Sequence, residues 1–234
     1  MGKLLLCRRL DELASWMAHL RIADKLLDEI GDLSQKHFIV GNIAPDSGEP
    51  VDGNWSVFTP STDISHWKSE GLPRSERAVK FRDMYLAVVD DTDRTAFYLG
   101  YYTHLLTDFI WLRDIFLAQQ EQYAKEFEQD PEFIWQIKRD MYDLDHLYYR
   151  EHPNFRAFAI YAGVSVFPNK YLDYFSEGAF EKKIEYITSF YKNFNGDLDR
   201  EYPYFTKADM DHFIEKAVCE IRPNIKSVLQ EVGL

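Results

Sequence analysis

Apolar residues recur every three to four positions along most of this chain, and that spacing is the feature that most limits its fold. It places apolar side chains on one face of a helix. Glycine and proline, which interrupt helices, together number only 20 among 234 residues. The sequence therefore predicts an all-α, multi-helix bundle. Helices are predicted over about residues 11–30, 75–89, 92–124, 132–150, 170–194 and 207–229, the last kinked or split at Pro223.

One stretch interrupts the helical pattern. Eight of the 20 glycines and prolines lie between Val40 and Arg74. A structureless loop of about thirty residues is uncommon in a compact domain, and such loops are usually functional or disordered. Because Trp55, Phe58 and Trp67 lie within it, we expect this loop to pack against the protein. Its Asp and His residues are therefore candidates for a functional site.

The charge of the chain excludes some classes of partner. With 27 Lys and Arg against 39 Asp and Glu, the formal net charge is −12. Attraction to nucleic acid or anionic lipid depends on Lys and Arg that neutralise phosphates, so we expect no nucleic-acid partner and no stable membrane association. The length and the 46% hydrophobic content fit one domain or at most two small ones. We expect a single domain over residues 1–234.

The cysteines and the first residues predict a cytoplasmic protein. Cys7 and Cys219 lie at opposite ends of the chain and do not make a disulfide framework. The apolar run Leu4-Leu5-Leu6-Cys7 is shorter than a signal peptide requires, because two arginines follow it at once. No stretch approaches the ~18 apolar residues of a membrane span.

His104 and Asp108 form the first candidate site. They lie four residues apart in a strongly helical segment, so both side chains point the same way. A neutral imidazole and a carboxylate one turn apart can bind a divalent cation together. The alternative is a surface His that hydrogen-bonds a neighbouring carboxylate. The neighbours are apolar: Leu105, Leu106, Phe109, Ile110 and Trp111. A buried polar pair needs a partner, which favours the metal-binding interpretation.

Further candidates lie on the first helix and in the loop. Asp46 follows Asn42-Ile43-Ala44-Pro45, while Asp63 and His66 come later in the loop. Each has an ordinary alternative, since Asp after Pro is common in turns and Asp63 can cap a short helix. His19, on the first helix, is by itself more typical of a core histidine than of a ligand. Their order along the chain is the more informative feature.

That order resembles the zinc-dependent phospholipase C family and the related single-strand-specific zinc nucleases. In those proteins a His on an early helix precedes a long loop with Asp and His ligands, and a His-x3-Asp pair follows on a later helix. The corresponding residues here are His19, Asp46, His66, His104 and Asp108. The resemblance extends over about residues 16–111, more loosely to Asp143, and is greatest to small bacterial members without a secretion signal.

The resemblance implies a helical fold of the phospholipase C and zinc nuclease type with a long metal-site loop. It implies that Asp46, His66, His104 and Asp108 bind one zinc, and that Asp108 bridges to a second metal bound by His19. Asp46 or Asp63 would act as the general base. Such metals activate water for hydrolysis of a phosphodiester or phosphomonoester.

Some positions differ from the family pattern. Trp16 lies within the chain, whereas secreted members use the amino group of an N-terminal Trp as a ligand. Asp114 stands where those enzymes have a His ligand for a third metal. Their downstream His-x3-Glu or His-x3-Asp pair has no clean match, and Asp140 with Asp143 is the substitute, unless this acidic pair is a solvated face. Carboxylate ligands favour Mn²⁺ or Mg²⁺ over zinc. The expected cofactor is therefore two or three zinc ions, with Mn or Mg at the carboxylate-rich position.

The resemblance thus implies a metal-dependent hydrolase, and the negative charge of the chain favours a small-molecule phosphoester as its substrate. The alternative is a non-catalytic helical binding or scaffold protein with a structural metal or none. A closed structural site has every position filled by protein, whereas a catalytic site leaves one for water. The sequence alone does not separate the two.

Overall fold

A computed structural model describes residues 13–68, 71–87, 91–130 and 132–234. Helices form most of this part, which confirms the all-α prediction. They are α1 (Trp16–Leu26), α2 (Gln35–Ile43), α3 (Thr62–Ser65), α4 (Arg74–Tyr85), α5 (Thr92–Trp111), α6 (Leu117–Gln122), α7 (Ala124–Gln129), α8 (Ile134–Glu151), α9 (Arg156–Ala162), α10 (Ala179–Lys192) and α11 (Lys207–Glu231). None of the described helices is both long and apolar enough to cross a membrane.

The helix boundaries follow local signals in the sequence. The Ser15 hydroxyl accepts a hydrogen bond from the Ala18 amide and so caps the start of α1. After α1 the chain makes one tight helical turn and then reverses at Gly31, whose φ of +57° suits glycine. Thr206 and Asp209 form a capping box that starts α11. This helix continues through Pro223 without a split.

The predicted helices over 92–124 and 170–194 differ in extent from those observed. The predicted helix over 92–124 is interrupted by a π-helical turn at Leu112–Phe116 and ends at Gln122. The predicted helix over 170–194 begins only at α10, because the Asn169 side chain accepts from and donates to the backbone of a preceding turn. Helix α9 was not predicted. Residues 11–12 and 88–89 of two predicted helices lie outside the described residues, as does Cys7.

The segment between Val40 and Arg74, predicted as a packed loop, contains short regular elements. Helix α2 occupies its start, a helical turn follows at Ala44–Asp46, and strands β1 (Glu49–Val51) and β2 (Asn54–Thr59) form an antiparallel hairpin. The hairpin reverses at Asp52 and Gly53, both with positive φ, as a two-residue Asp-Gly turn requires. All residues of α2 from position 37 to 43 are buried. A helix buried on all sides needs no polar face, so its sequence carries no amphipathic pattern.

Helices α2 and α5 touch at their backbones, and this crossing places the site described below. A Cβ atom on Gly41 would lie 2.0 Å from the Phe97 carbonyl oxygen, and one on Gly100 would lie 2.1 Å from the Phe38 carbonyl oxygen. Only glycine permits so close an approach. The approach lets the Asn42 side-chain amide donate to the Gly100 carbonyl oxygen at 3.4 Å.

Candidate metal centre

Three histidines and two aspartates converge between α1, α2, α3 and α5. His19 comes from α1, Asp46 from the turn after α2, and His66 from the residue that follows α3. His104 and Asp108 lie one turn apart on α5. The side chains of both His19 and His104 are fully buried, and their rings stack at a centroid distance of 3.8 Å. We call these five residues the His/Asp cluster.

Asp108 lies at the centre of the His/Asp cluster. One carboxylate oxygen, Oδ2, is 3.2 Å from His104 Nε2 and 3.5 Å from His66 Nε2. The other, Oδ1, is 3.3 Å from His19 Nε2 and accepts the Ala14 amide hydrogen at 3.1 Å. A single carboxylate thus contacts all three imidazoles.

The ligand atoms fall into two overlapping groups of a size that suits a metal ion. His66, His104 and Asp108 offer atoms that all lie within 4.8 Å of one another, and His19, Asp46 and His104 form a second such group. Asp46 also approaches the first group, since its Oδ1 is 3.4 Å from His66 Nε2. His104 belongs to both groups.

Hydrogen bonds to backbone carbonyls set the orientation of two imidazoles. His104 Nδ1 lies 2.8 Å from the Asn42 carbonyl oxygen, and His66 Nδ1 lies 3.2 Å from the Thr62 carbonyl oxygen. Because a carbonyl only accepts, both Nδ1 atoms carry the hydrogen, as is usual for metal-bound histidines. Both Nε2 atoms then present lone pairs toward each other, 3.2 Å apart. A cation between them removes that repulsion.

Unsatisfied polar atoms also indicate a cation. Both ring nitrogens of His19 and the Oδ2 atom of Asp108 are buried without a hydrogen-bond partner. Leaving such atoms unpaired costs on the order of 1–3 kcal/mol each. The donor set of imidazole nitrogens and carboxylate oxygens is one that zinc accepts. The His/Asp cluster therefore fits the zinc that the resemblance implies.

The electrostatics keep the carboxylates ionised. Burial alone would raise the pKa of Asp46, but the neighbouring His66, His104 and His19 imidazoles hold it at about 2. The pKa of Asp108 is likewise well below its usual value, because His104 and His19 outweigh the effect of burial. Burial lowers the pKa of His19, whereas the Asp108 carboxylate overcomes burial and raises the pKa of His104. Two negative charges, one buried and one partly exposed, thus face three imidazoles.

A separate set of contacts holds the segment that carries His66. Trp67 adopts a left-handed φ of 56°, a conformation that costs a non-glycine residue roughly 1–2 kcal/mol. Its ring packs edge-on against Phe81 at 5.4 Å, which offsets that cost. The Tyr101 hydroxyl donates to the Ser65 carbonyl oxygen and accepts from the Tyr174 hydroxyl. Tyr101 is therefore a positioning residue for His66.

The structure does not bring Asp63, Asp114, Asp140 or Asp143 into either ligand group. Asp63 lies 3.5 Å from the Lys68 ammonium. Asp114 pairs with Arg113 and Lys216, at 2.6 and 2.9 Å. These residues therefore do not form the carboxylate-rich site for a third metal ion that the sequence predicts.

Arg200 forms ion pairs with both acidic residues on α8, Asp140 and Asp143. Its guanidinium lies 2.7 Å from Asp140 and 2.6 Å from Asp143, and Asp140 also accepts from the Tyr204 amide at 2.8 Å. The spacing of the pair on one helix face was predicted correctly, but its partner is an arginine about sixty residues later in the chain. Spacing along one helix cannot show such a partner.

We expect Asp143→Asn to leave the metal content unchanged and to lower the free energy of unfolding by about 1–3 kcal/mol, the size of a lost charged hydrogen bond. Plasma mass spectrometry and urea unfolding measure the two quantities. Asp108→Asn, measured in parallel, loses metal. A fall in metal content in Asp143→Asn would place Asp143 among the ligands after all.

A cleft of about 420 Å³ adjoins the His/Asp cluster. Asp46 forms part of its wall and is the one cluster residue among those that line it. Most of the lining is apolar and includes Trp16, Trp111 and Trp135. A largely apolar cleft with few polar groups is typical of a site for a small organic molecule.

Residues 18–125 match a family model described as "Zinc dependent phospholipase C". All five residues of the His/Asp cluster lie within the matched segment. No curated protein and no solved structure gives a significant match.

Proposed function

Residues 18–125 belong to a zinc-dependent phospholipase C-like family, and from this premise we propose that the protein is a metal-dependent hydrolase of small-molecule phosphoesters. The observation that carries the proposal is the buried convergence of three imidazoles on the Asp108 carboxylate beside an apolar cleft. The cleft volume of about 420 Å³ falls in the range typical of small-molecule sites.

The two ligand groups of the cluster would hold two zinc ions. His66 and Asp108 would hold one ion, His19 would hold the other, and His104 and Asp46 approach both positions. A bound zinc ion lowers the pKa of water to near neutrality and polarises phosphoryl oxygens. The carbonyls of Asn42 and Thr62 would keep the His104 and His66 rings oriented during the reaction.

Asp46 is the cluster residue placed to contact a substrate or the attacking water. Its side chain is 14% exposed and lines the cleft, while Asp108 is enclosed by the imidazoles. Because its pKa is about 2, Asp46 is ionised at neutral pH and accepts a hydrogen bond from water. Asp63 pairs with Lys68 and is not part of the cleft wall, so Asp46 is the stronger of the two candidates for the general base.

The test is hydrolysis of bis(p-nitrophenyl) phosphate and p-nitrophenyl phosphate by protein purified without chelator. We expect release of p-nitrophenol by the purified protein, its loss after dialysis against dipicolinate, and its return on addition of zinc. Two results contradict the proposal. One is hydrolysis that survives removal of the metal, and the other is that metal-loaded protein hydrolyses neither ester.

Removal of the metal also lowers the thermal stability. A ligand that binds only the folded state contributes about 4 kcal/mol when its free concentration is about 1,000 times the dissociation constant. We therefore expect a large fall in Tm on chelation, measured by circular dichroism and reversed by zinc. A fall in Tm together with absent hydrolysis would favour the alternative of a structural metal.

A further inference from the structure

Two lysines lie in the wall of the apolar cleft. Lys138 on α8 is 6% exposed, and Lys183 on α10 is 8% exposed. Lysine is almost never so buried in a protein unless it is paired, because removing an ammonium group from water is costly. Neither residue stands out in the sequence, because Lys183 is one of two adjacent lysines in an amphipathic helix.

Lys183 lies against aromatic rings and has no ionic partner among the residues that the structure describes. Its Nζ atom is 5.5 Å from the centre of the Trp16 ring and 5.8 Å from that of Tyr186. In the described part of the chain no carboxylate oxygen lies within ion-pair distance of Nζ, and Glu49 pairs with the neighbouring Lys182 at 2.6 Å. Burial lowers the pKa of Lys183, and the charges of Asp46 and Glu49 only partly oppose that effect.

The charge of the cleft favours an anion. Among the described residues that line it, Asp46 is the one acidic side chain, and it also belongs to the His/Asp cluster. Lys138 is a second lysine of the wall; its Nζ atom lies 5.2 Å from the centre of the Trp135 ring, and it makes a further interaction within the protein. Because Lys183 already lies over the faces of Trp16 and Tyr186, those faces are not open to a cationic head group.

We propose that Lys183 binds an anionic group of a ligand in the cleft, such as a phosphate or carboxylate. The cleft then selects molecules that combine an apolar group with negative charge over those that carry a quaternary ammonium. Binding of the anion depends on the cleft and does not depend on hydrolysis. The identification of that ligand as the substrate rests on the proposed function.

The binding test is isothermal titration calorimetry of metal-loaded protein with phenylphosphonate, whose carbon–phosphorus bond resists hydrolysis. We expect Lys183→Met to weaken binding about tenfold or more, the effect of losing a charged hydrogen bond. Lys183→Arg should retain most of the affinity because it keeps the charge. Lys182→Met, at an exposed position on the same helix, is the matched control and should bind as the wild type does.

Two results would overturn the inference. One is phenylphosphonate affinity within twofold of the wild type in Lys183→Met. The other is tighter binding of benzyltrimethylammonium than of phenylphosphonate by the wild type. If Lys183→Met does not fold, as judged by its thermal transition and metal content, Lys183→Gln replaces it under the same criteria.

A kinetic comparison separates this inference from the proposed function. For the wild type and Lys183→Met, kcat/KM is measured with p-nitrophenyl phosphate and with p-nitrophenylphosphocholine. We expect the preference for the doubly charged monoester to fall about tenfold in the variant, mainly through KM. Absence of hydrolysis by the wild type contradicts the proposed function alone, because calorimetry still reports on Lys183. Hydrolysis with an unchanged preference contradicts the role of Lys183 alone.

Discussion

Replacing His104 by alanine removes metal binding and hydrolysis together. His104 is the residue common to both ligand groups, so its loss leaves each group with two members. Removing a residue that merely supports a ligand costs about 10–100-fold in metal affinity or activity. Removal of a ligand shared by two positions should exceed that range. We expect metal per chain to fall to a small fraction of the wild-type value, with kcat/KM reduced more than ~100-fold.

Metal content per chain by plasma mass spectrometry is the first measurement, on protein purified without a His-tag or chelator. His212→Ala is the matched control because His212 is an exposed histidine on α11 outside both ligand groups. It should keep both metal and activity. Since His104 also stacks on His19, His104→Gln is included as a variant that leaves less of a void. Wild-type metal content in both His104 variants would show that His104 is not a metal ligand.

Replacing Gly100 by alanine destabilises the protein and disturbs the metal site at a distance. The new Cβ would meet the Phe38 carbonyl oxygen at 2.1 Å, and this oxygen belongs to the backbone of α2. Backbone cannot rotate away as a side chain can, so the two helices must separate. Overpacking of a core costs about 1–3 kcal/mol and occasionally more. We expect a loss of about 3 kcal/mol, even though alanine favours helix over glycine by about 1 kcal/mol.

The separation also moves the Asn42 carbonyl away from His104 Nδ1, a contact of 2.8 Å. Gly100→Ala should therefore bind metal more weakly than the wild type although it alters no ligand. Gly178→Ala is the control, because a Cβ there meets nothing within 4 Å. Its free energy of unfolding should stay within about 0.5 kcal/mol of the wild type. Equal urea unfolding curves for Gly100→Ala and Gly178→Ala would contradict the backbone contact between α2 and α5.

The parts of the site that could be predicted are those that depend on local spacing. His104 and Asp108 are four residues apart on a helix, and any helix places such a pair on one face. The order of His19, Asp46 and His66 led to the same family that residues 18–125 match. The structure brings these five side chains together, and their role as metal ligands stays a prediction for the metal analysis.

The acidic residues show the limit of such reasoning. Asp140 and Asp143 share a helix face, as predicted, and that face is equally suited to a metal or to a basic side chain. Arg200 occupies it. Asp114 likewise forms an ion pair with Lys216, which lies on α11. Arg200 and Lys216 are distant in sequence from these carboxylates and become their neighbours only when the chain packs, whereas Arg113, the other partner of Asp114, is adjacent to it in sequence.

The sequence by itself determined the helical class and the local pairing of His104 with Asp108, because helical periodicity depends on residues within one or two turns. Tertiary structure decided the rest. Helix α2 has no amphipathic pattern, and it is positioned by backbone contact at Gly41 and Gly100. That contact brings the Asn42 carbonyl to His104, and the packing of α10 buries Lys183 in the cleft. These contacts join residues far apart in the chain, and their partners are fixed only when the core packs as a whole.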